Sequence, residues 1–322
     1  MADNMPFLSI ITPSYQQAKF LEQTIKSVSD QSFDEIEYLV VDGGSDDGSV
    51  EIIKKYGKHI TWWVTEKDEG QGDAINKGLA RAKGDIIAWI NSDDFYLPDA
   101  FQKVVNVFKQ EPELGLLYGD VLAVDENSQV FNLMQSGSYE LLDLMKFKII
   151  NQPAVFFRRN CLETVGHLDT SYRYLLDHHL WLRIASEYRI KHMPEFLAAG
   201  RYHSQAKNIA EAELFGEEAF RILDWMAEHA ELNAIFSKYE KVIQAGAYQL
   251  NAYYLSEAGQ WKSALRSYAV CMNLDFSTAV SDWRRILFTL SQPLFGTSFK
   301  RKRHSAQLKY YQEISRKLSN TD

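Results

Sequence analysis

Ile86-Ile87-Ala88-Trp89-Ile90-Asn91-Ser92-Asp93-Asp94-Phe95-Tyr96-Leu97-Pro98 decides the reading of this chain. The apolar run stops at Asn91, two aspartates follow, and a proline closes the turn. A buried strand that delivers Asp93 and Asp94 to its carboxyl end fits this order. In open α/β sheets, ligands bind outside the carboxyl ends of the strands. Adjacent carboxylates repel unless a positive charge lies between them, and a hard divalent cation meets that need.

The segments upstream repeat the arrangement. Phe7 to Thr12, Ile36 to Val41 and Ile60 to Thr65 are short apolar runs of buried-strand length. Ala18, Leu21, Ile25 and Val28 recur at helical spacing, Val50 to Tyr56 follows as a helix, and Asp73 to Lys83 carries Ala74, Ile75, Leu79 and Ala82 on one face. Strand and helix therefore alternate, which predicts a mostly parallel twisted sheet flanked by helices. Each strand ends in a polar or glycine-rich loop: Thr12-Pro13-Ser14-Tyr15, Asp42 to Gly48, Glu66 to Asp73, and Asn91 to Asp94. Four such loops on one edge predict a ligand crevice.

At 322 residues the chain exceeds what one hydrophobic core usually accommodates. A formal net charge of -8 argues against bulk binding to nucleic acid. Cys161 and Cys271 form no CxxC spacing, so buried thiols are expected rather than a zinc cluster or disulfide. Met1 to Pro6 lacks the basic region and apolar core of a signal peptide, and no apolar run is long enough to span a bilayer; a cytoplasmic protein is expected.

The ordered motifs resemble glycosyltransferase family 2, the inverting nucleotide-sugar transferases of GT-A fold. The matching stretches are Ser9 to Tyr15, Val40 to Ser49, Glu66 to Gly78, Asn91 to Asp94, Asn151 to Arg159 and Asp177 to Arg183, covering about residues 5 to 205. The resemblance implies a GT-A catalytic domain over residues 1–205. It implies transfer of a sugar from a nucleotide-sugar to a hydroxyl of a glycan or lipid-linked glycan, in cell-surface polysaccharide assembly.

In that family Asn91-Ser92-Asp93-Asp94 is the DxD motif, with Asp93 the ligand of Mn2+ or Mg2+ and Asp94 supporting it. Asn91 replaces the first aspartate, so one charge is lost; Asn91 and Ser92 would contact the nucleotide. Asp42 stands at the base-recognising position. The family commonly has a second aspartate next, the one that contacts uracil, and here it is Gly43, which leaves the donor base open. Tyr15 matches a residue beside the base ring, with Thr12 and Pro13 giving backbone contacts. Asp73 is either a donor contact or a helix-start charge. Lys77 is either a phosphate partner or a solvated lysine, and Gln152 is a candidate for orienting a sugar. Asp177 matches the general base, which takes the acceptor proton as the hydroxyl attacks. His203 stands where many GT-A enzymes complete the metal shell.

Beyond residue 206 the strand signals vanish. A helical domain over 206–322 is expected, with long helices over Ala212–Ala230 and Ala234–Glu257. One tetratricopeptide-like hairpin is expected between Ala245 and Ala279. This region is a candidate for a protein partner or self-association. Lys300, Arg301, Lys302 and Arg303, after an apolar stretch, are either a contact with the inner membrane face or a solvated helix end. Two rivals stay open on the sequence alone. One is a sugar nucleotidyltransferase; the other is a non-catalytic scaffold with a relic GT-A domain, to which Asn91 and Gly43 lend weight.

Overall fold

The computed structural model describes residues 7–203, 211 and 213–295. The chain divides into two compact units. The first comprises Met1–Val124, Asn132–Ser138 and Ile150–Arg201; the second comprises Asp125–Phe131, Tyr139–Ile149 and Tyr202–Asp322. The second unit is thus not contiguous in sequence, unlike the simple division at 205 expected above. Lys300 to Arg303 lie outside the described residues.

Four strands open the first unit: β1 (Leu8–Ser14), β2 (Ile36–Asp42), β3 (Trp62–Thr65) and β4 (Ile86–Trp89). They lie in the order β3-β2-β1-β4 and pair in parallel. β1 and β4 are buried along their whole length, as continuous apolar runs in a sheet covered on both faces are. α1 (Ala18–Ser29), α2 (Ser49–Lys55) and α3 (Gln71–Leu79) connect them. α1 buries Phe20, Leu21, Thr24, Ile25 and Val28, the stripe its spacing predicts.

The sheet then becomes mixed. β5 (Phe95–Tyr96), α4 (Ala100–Gln110), β6 (Leu114–Val124), β7 (Val130–Met134), β8 (Val155–Arg158) and β9 (Arg189–Arg201) follow. β8 is antiparallel to both β4 and β6, β9 is parallel to β6, and β5 is antiparallel to β9. The stretch from Gln152 does not begin as a strand: Gln152–Ala154 is a single 3-10 turn. Pro153 has no N–H to give a ladder, so pairing starts only at Val155. Between β7 and β9 lie α5 (Leu141–Met145), α6 (Cys161–Val165) and α7 (Leu176–Glu187).

Gly84 lets the turn before β4 sit against β1. A Cβ there would approach Ser9 N to 2.6 Å and Leu8 C to 2.8 Å, and both are backbone atoms in the middle of a sheet. Gly84→Ala is expected to cost about 1–3 kcal/mol, the usual penalty for forcing atoms into a packed site. Urea denaturation checks this; an unchanged midpoint would show that the start of β1 yields.

In the second unit, α8 (Leu214–Glu228), α9 (Asn233–Glu257), α10 (Trp261–Leu274), α11 (Phe276–Ser281) and α12 (Trp283–Phe295) follow one another. α9 and α10 form a helical hairpin that turns at Gly259, whose φ is +76°. Its interface buries Ala245, Ala264, Tyr268 and Cys271, and Asn251 Nδ2 donates to Ser267 Oγ at 2.9 Å. Small residues facing rings allow this close approach. Cys161 and Cys271 are free and buried. Burial pushes their thiols up to about 12 and about 11, so both stay protonated and inert. No helix among the described residues is long and apolar enough to cross a membrane.

Candidate active site

Strand register brings the loop residues to one edge. Ser14 lies beside Asp42, and Asp42 beside Thr65. Trp89 pairs with Ile11, and the Ile90 N–H donates to Ile11 O at 2.9 Å. Asn91 to Asp94 therefore emerge level with the end of β1.

The Asn91–Asp94 loop is held from several directions. Thr24 Oγ1 of α1 donates to Ser92 O at 3.0 Å and to Asp94 O at 2.7 Å. Gln71 Nε2, at the start of α3, donates to Asn91 Oδ1 at 2.6 Å. Gln152 Nε2 donates to Trp89 O at 2.8 Å. Arg201, the last residue of β9, donates from its backbone N–H to Asp94 Oδ1 and from Nε to Asp93 O, each at 2.8 Å. Its Nη2 donates to Gln23 Oε1 at 2.7 Å, and its guanidinium lies 4.6 Å from the Phe20 ring centre. Arg201 is buried.

Asp94 is buried and Asp93 half-buried. Burial first, and the neighbouring Asp93 charge second, push the Asp94 carboxyl well above the ordinary carboxylate range, against the pull of the Arg201 N–H. Two adjacent carboxyl groups, one of them buried, are a place where a cation lowers the energy.

α7 carries Asp177 in its first turn. The helix is anchored by Trp181, which is fully buried and stacks on Trp89 with ring centres 5.1 Å apart. Arg183 of the same helix donates to the carbonyls of Val165 and His167. The loop before α7 is tied to α3 by a reciprocal pair, Asn76 Nδ2 to Leu168 O at 2.9 Å and Leu168 N to Asn76 Oδ1 at 3.1 Å. Asp177 stands one helical turn before Trp181 on the same face, so the β4 end that leads into Asn91–Asp94 also locates Asp177. Its Oδ1 accepts the His178 N–H at 2.7 Å. His178 and His179 are buried rather than exposed, and His179 lies 4.5 Å from the Tyr172 ring.

Other expected residues fall differently. Asp42 is fully buried. Its Oδ2 accepts from Gly44 N, Ser45 N and Thr65 Oγ1, at 3.1, 2.9 and 2.7 Å, and its Oδ1 accepts from Ser45 Oγ at 2.7 Å. Both carboxylate oxygens of Asp42 are thus used in its own turn. Thr12 is also buried, its Oγ1 3.0 Å from Tyr38 OH in the sheet. Pro13 is buried beside it, and Tyr15 is 60% exposed at the β1 end. Lys77 pairs with Glu66 at 2.9 Å and Asp73 at 3.3 Å, which raises its pKa, the Glu66 contact being the larger cause. With two carboxylate partners it is accounted for without a phosphate. Asp73 further accepts the Glu69 N–H at 3.2 Å. His203 is buried and belongs to the second unit.

Sequence reasoning missed Arg201 and Gln71 as holders of the acidic loop. Arg201 is 107 residues from Asp94 in the chain, and no local spacing links them.

The mixed sheet, with its edge of loops, has the GT-A fold. The glycosyl transferase family 2 model matches residues 9–163. An uncharacterized glycosyltransferase of Rickettsia typhi is 30% identical over 231 residues, covering 66% of this chain and 70% of that protein. The chain belongs to glycosyltransferase family 2 and is an enzyme of that class. Among solved structures, S. aureus TarS in complex with UDP-GlcNAc superposes with a TM-score of 0.58 at 17% identity, covering 86% of this chain and 91% of that one. The mannosyltransferase PcManGT from Pyrobaculum calidifontis, in complex with GDP-Man and Mn2+, gives 0.56 at 19% identity, covering 91% and 87%.

Proposed function

We propose that this enzyme is a metal-dependent inverting glycosyltransferase. It moves a sugar from a nucleotide-sugar to a hydroxyl of a glycan or lipid-linked glycan in cell-surface polysaccharide assembly, on the cytoplasmic side of the membrane. The observation that carries the reading is the shared anchoring at β4: one strand end leads into Asp93 and Asp94 and, through the Trp89–Trp181 stack, locates Asp177. A carboxylate pair for a cation and a separate carboxylate for a base are thus held by one rigid element. The two structural neighbours crystallised with nucleotide-sugars, one of them with Mn2+, support the same reading.

The donor set suits Mn2+ or Mg2+. No group of three or more His, Cys, Asp or Glu side chains is arranged to hold a metal among the described residues. Such an ion binds through one or two carboxylates together with substrate phosphates, and does not require a cage of side chains. Asp93 would hold it, and Asp94 would stiffen that site. When bound, the ion neutralises charge gathering on the leaving diphosphate. Asn91, Ser92 and the exposed Tyr15 ring face the nucleotide, while Asp42 and Gly43 shape the turn beneath it. Gln152, tied to Trp89 O, stands on the acceptor side. Asp177 removes the proton of the attacking hydroxyl. Lys77, Asp73 and Thr12 are structural in this reading.

Family membership argues against the nucleotidyltransferase rival, and the retained Asp93 and Asp177 argue against a relic domain. A thermal-shift panel of nucleoside diphosphates with Mn2+, Mg2+ or EDTA tests the reading, since a ligand that binds the native state raises stability. Asp93→Ala is expected to abolish the metal-dependent part of the shift and leave the unliganded midpoint within about 2 °C, as substitutions at partly exposed positions commonly do. A shift of undiminished metal dependence in this variant would remove Asp93 from the metal site.

A further inference from the structure

Gly43 and Asp68 share one space at the edge of the sheet. A Cβ on Gly43 would lie 2.7 Å from Asp68 Oδ2 and 3.1 Å from its Cγ, so the absence of a side chain at Gly43 is what admits the Asp68 carboxylate. The backbone does not otherwise call for glycine there: Gly44 and Gly48 have left-handed φ values, and Gly43 does not. Gly43 is fixed in place by its N–H to Ser14 O at 2.8 Å. Asp68 Oδ1 accepts the Gly70 N–H at 2.9 Å, which orients the carboxylate. Among the described residues no hydrogen-bond donor is assigned to Oδ2. Asp68 is half-buried, and the Tyr15 ring stands exposed at the end of β1, beside β2 in the sheet. Asp42, with both oxygens committed to its turn, offers no acceptor at this edge.

We propose that Asp68 reads the nucleotide base, accepting a ring N–H through Oδ2, and that Gly43 provides its seat. The inference rests on the nucleotide-sugar reading above. An ionised carboxylate is an acceptor only. It complements the N3–H of uracil or the N1–H of guanine. Neutral cytosine and adenine present a lone pair at the corresponding ring nitrogen, and two acceptors facing each other repel. Thymine carries the same N3–H as uracil, so the donor is a uridine, thymidine or guanosine diphosphate sugar rather than a cytidine or adenosine one.

Calorimetric titration of the full chain with UDP, GDP, CDP and ADP in Mn2+ tests this, with Mn2+-pyrophosphate as a base-free control. The expected result is that UDP or GDP binds about 10–100-fold more tightly than both CDP and ADP, the scale of one hydrogen bond to a charged group. Asp68→Asn, which keeps the shape but can donate, should cut affinity for the preferred nucleotide by about 10-fold and improve CDP. Gly43→Ala leaves Asp68 in the sequence but displaces its carboxylate, and should weaken the preferred nucleotide in the same direction. Pyrophosphate affinity should stay unchanged in both variants, which a general loss of folding would not allow. Equal binding of all four nucleotides by the wild type, or Asp68→Asn without effect, would overturn the base-reading role while leaving the nucleotide-sugar reading standing. Binding of none of the four by the wild type would overturn both.

Discussion

Asp177→Asn is expected to lower the transfer rate by about 10²–10⁴-fold while nucleoside diphosphate affinity stays within about twofold, the range for removal of a positioned general base. The substitution is nearly isosteric, and the amide oxygen can still accept the His178 N–H that holds Oδ1. α7 keeps its anchors, because Trp181 and Arg183 are untouched. What is lost is the proton affinity that the proposed role as general base needs. Single-turnover transfer from labelled donor, compared with calorimetric binding of the diphosphate, separates the two effects. Equal loss of binding and transfer would make Asp177 a structural cap, and undiminished transfer would place the base elsewhere.

Trp181→Ala carries the largest expected loss of stability. The indole is fully buried, stacked on Trp89 and tilted against Phe157 with ring centres 5.6 Å apart. Removing a buried large aromatic side chain costs about 3–5 kcal/mol, because the surroundings close only part of the cavity. Trp181→Phe keeps most of the apolar contact and is expected to cost about 1–2 kcal/mol, as a partial truncation of a core side chain. The chain has two units, so unfolding is followed in urea by circular dichroism with separate transitions allowed. The transfer rate of Trp181→Ala should fall below the temperature of unfolding as well, since Asp177 is one turn from the deleted ring. A variant with full activity at low temperature would show that Asp177 is located by the Asn76–Leu168 tie and not by the stack.

The first four strands were legible because each is a short apolar run that punctuation ends cleanly, and their register follows from burial on both faces. The motif from Asp177 to Arg183 was equally visible, though not the division of labour within it: Trp181 and Arg183 hold the helix, and Asp177 is carried by it. β6 and β9 were not resolved as strands, although they turn the sheet from parallel to mixed. The stretch from Gln152 to Arg158 reads as one strand in the sequence, but Pro153 delays β8 to Val155 because it has no N–H to give the ladder.

The acidic loop shows the same limit at the level of single atoms. Sequence reading found Asp93 and Asp94 but assigned them no cation of the chain's own; the fold supplies Arg201 from the far end of the sheet. Sequence reading also placed Asp42 at the end of β2 but did not name its partners there. The buried carboxylate closes on Gly44, Ser45 and Thr65, and only three-dimensional packing distinguishes a turn-building aspartate from a ligand-facing one.

The amino-acid order alone determined that strands alternate with helices and that their polar loops, with an adjacent carboxylate pair in one of them, gather on one edge. These follow from periodicity and local punctuation, which act over a few residues. The tertiary structure alone decided which carboxylates face the crevice, because that depends on donors brought from other strands. Arg201 reaches Asp94, Trp89 meets Trp181, and Asp68 fills the space that Gly43 leaves, each across a separation in sequence over which no local pattern carries information.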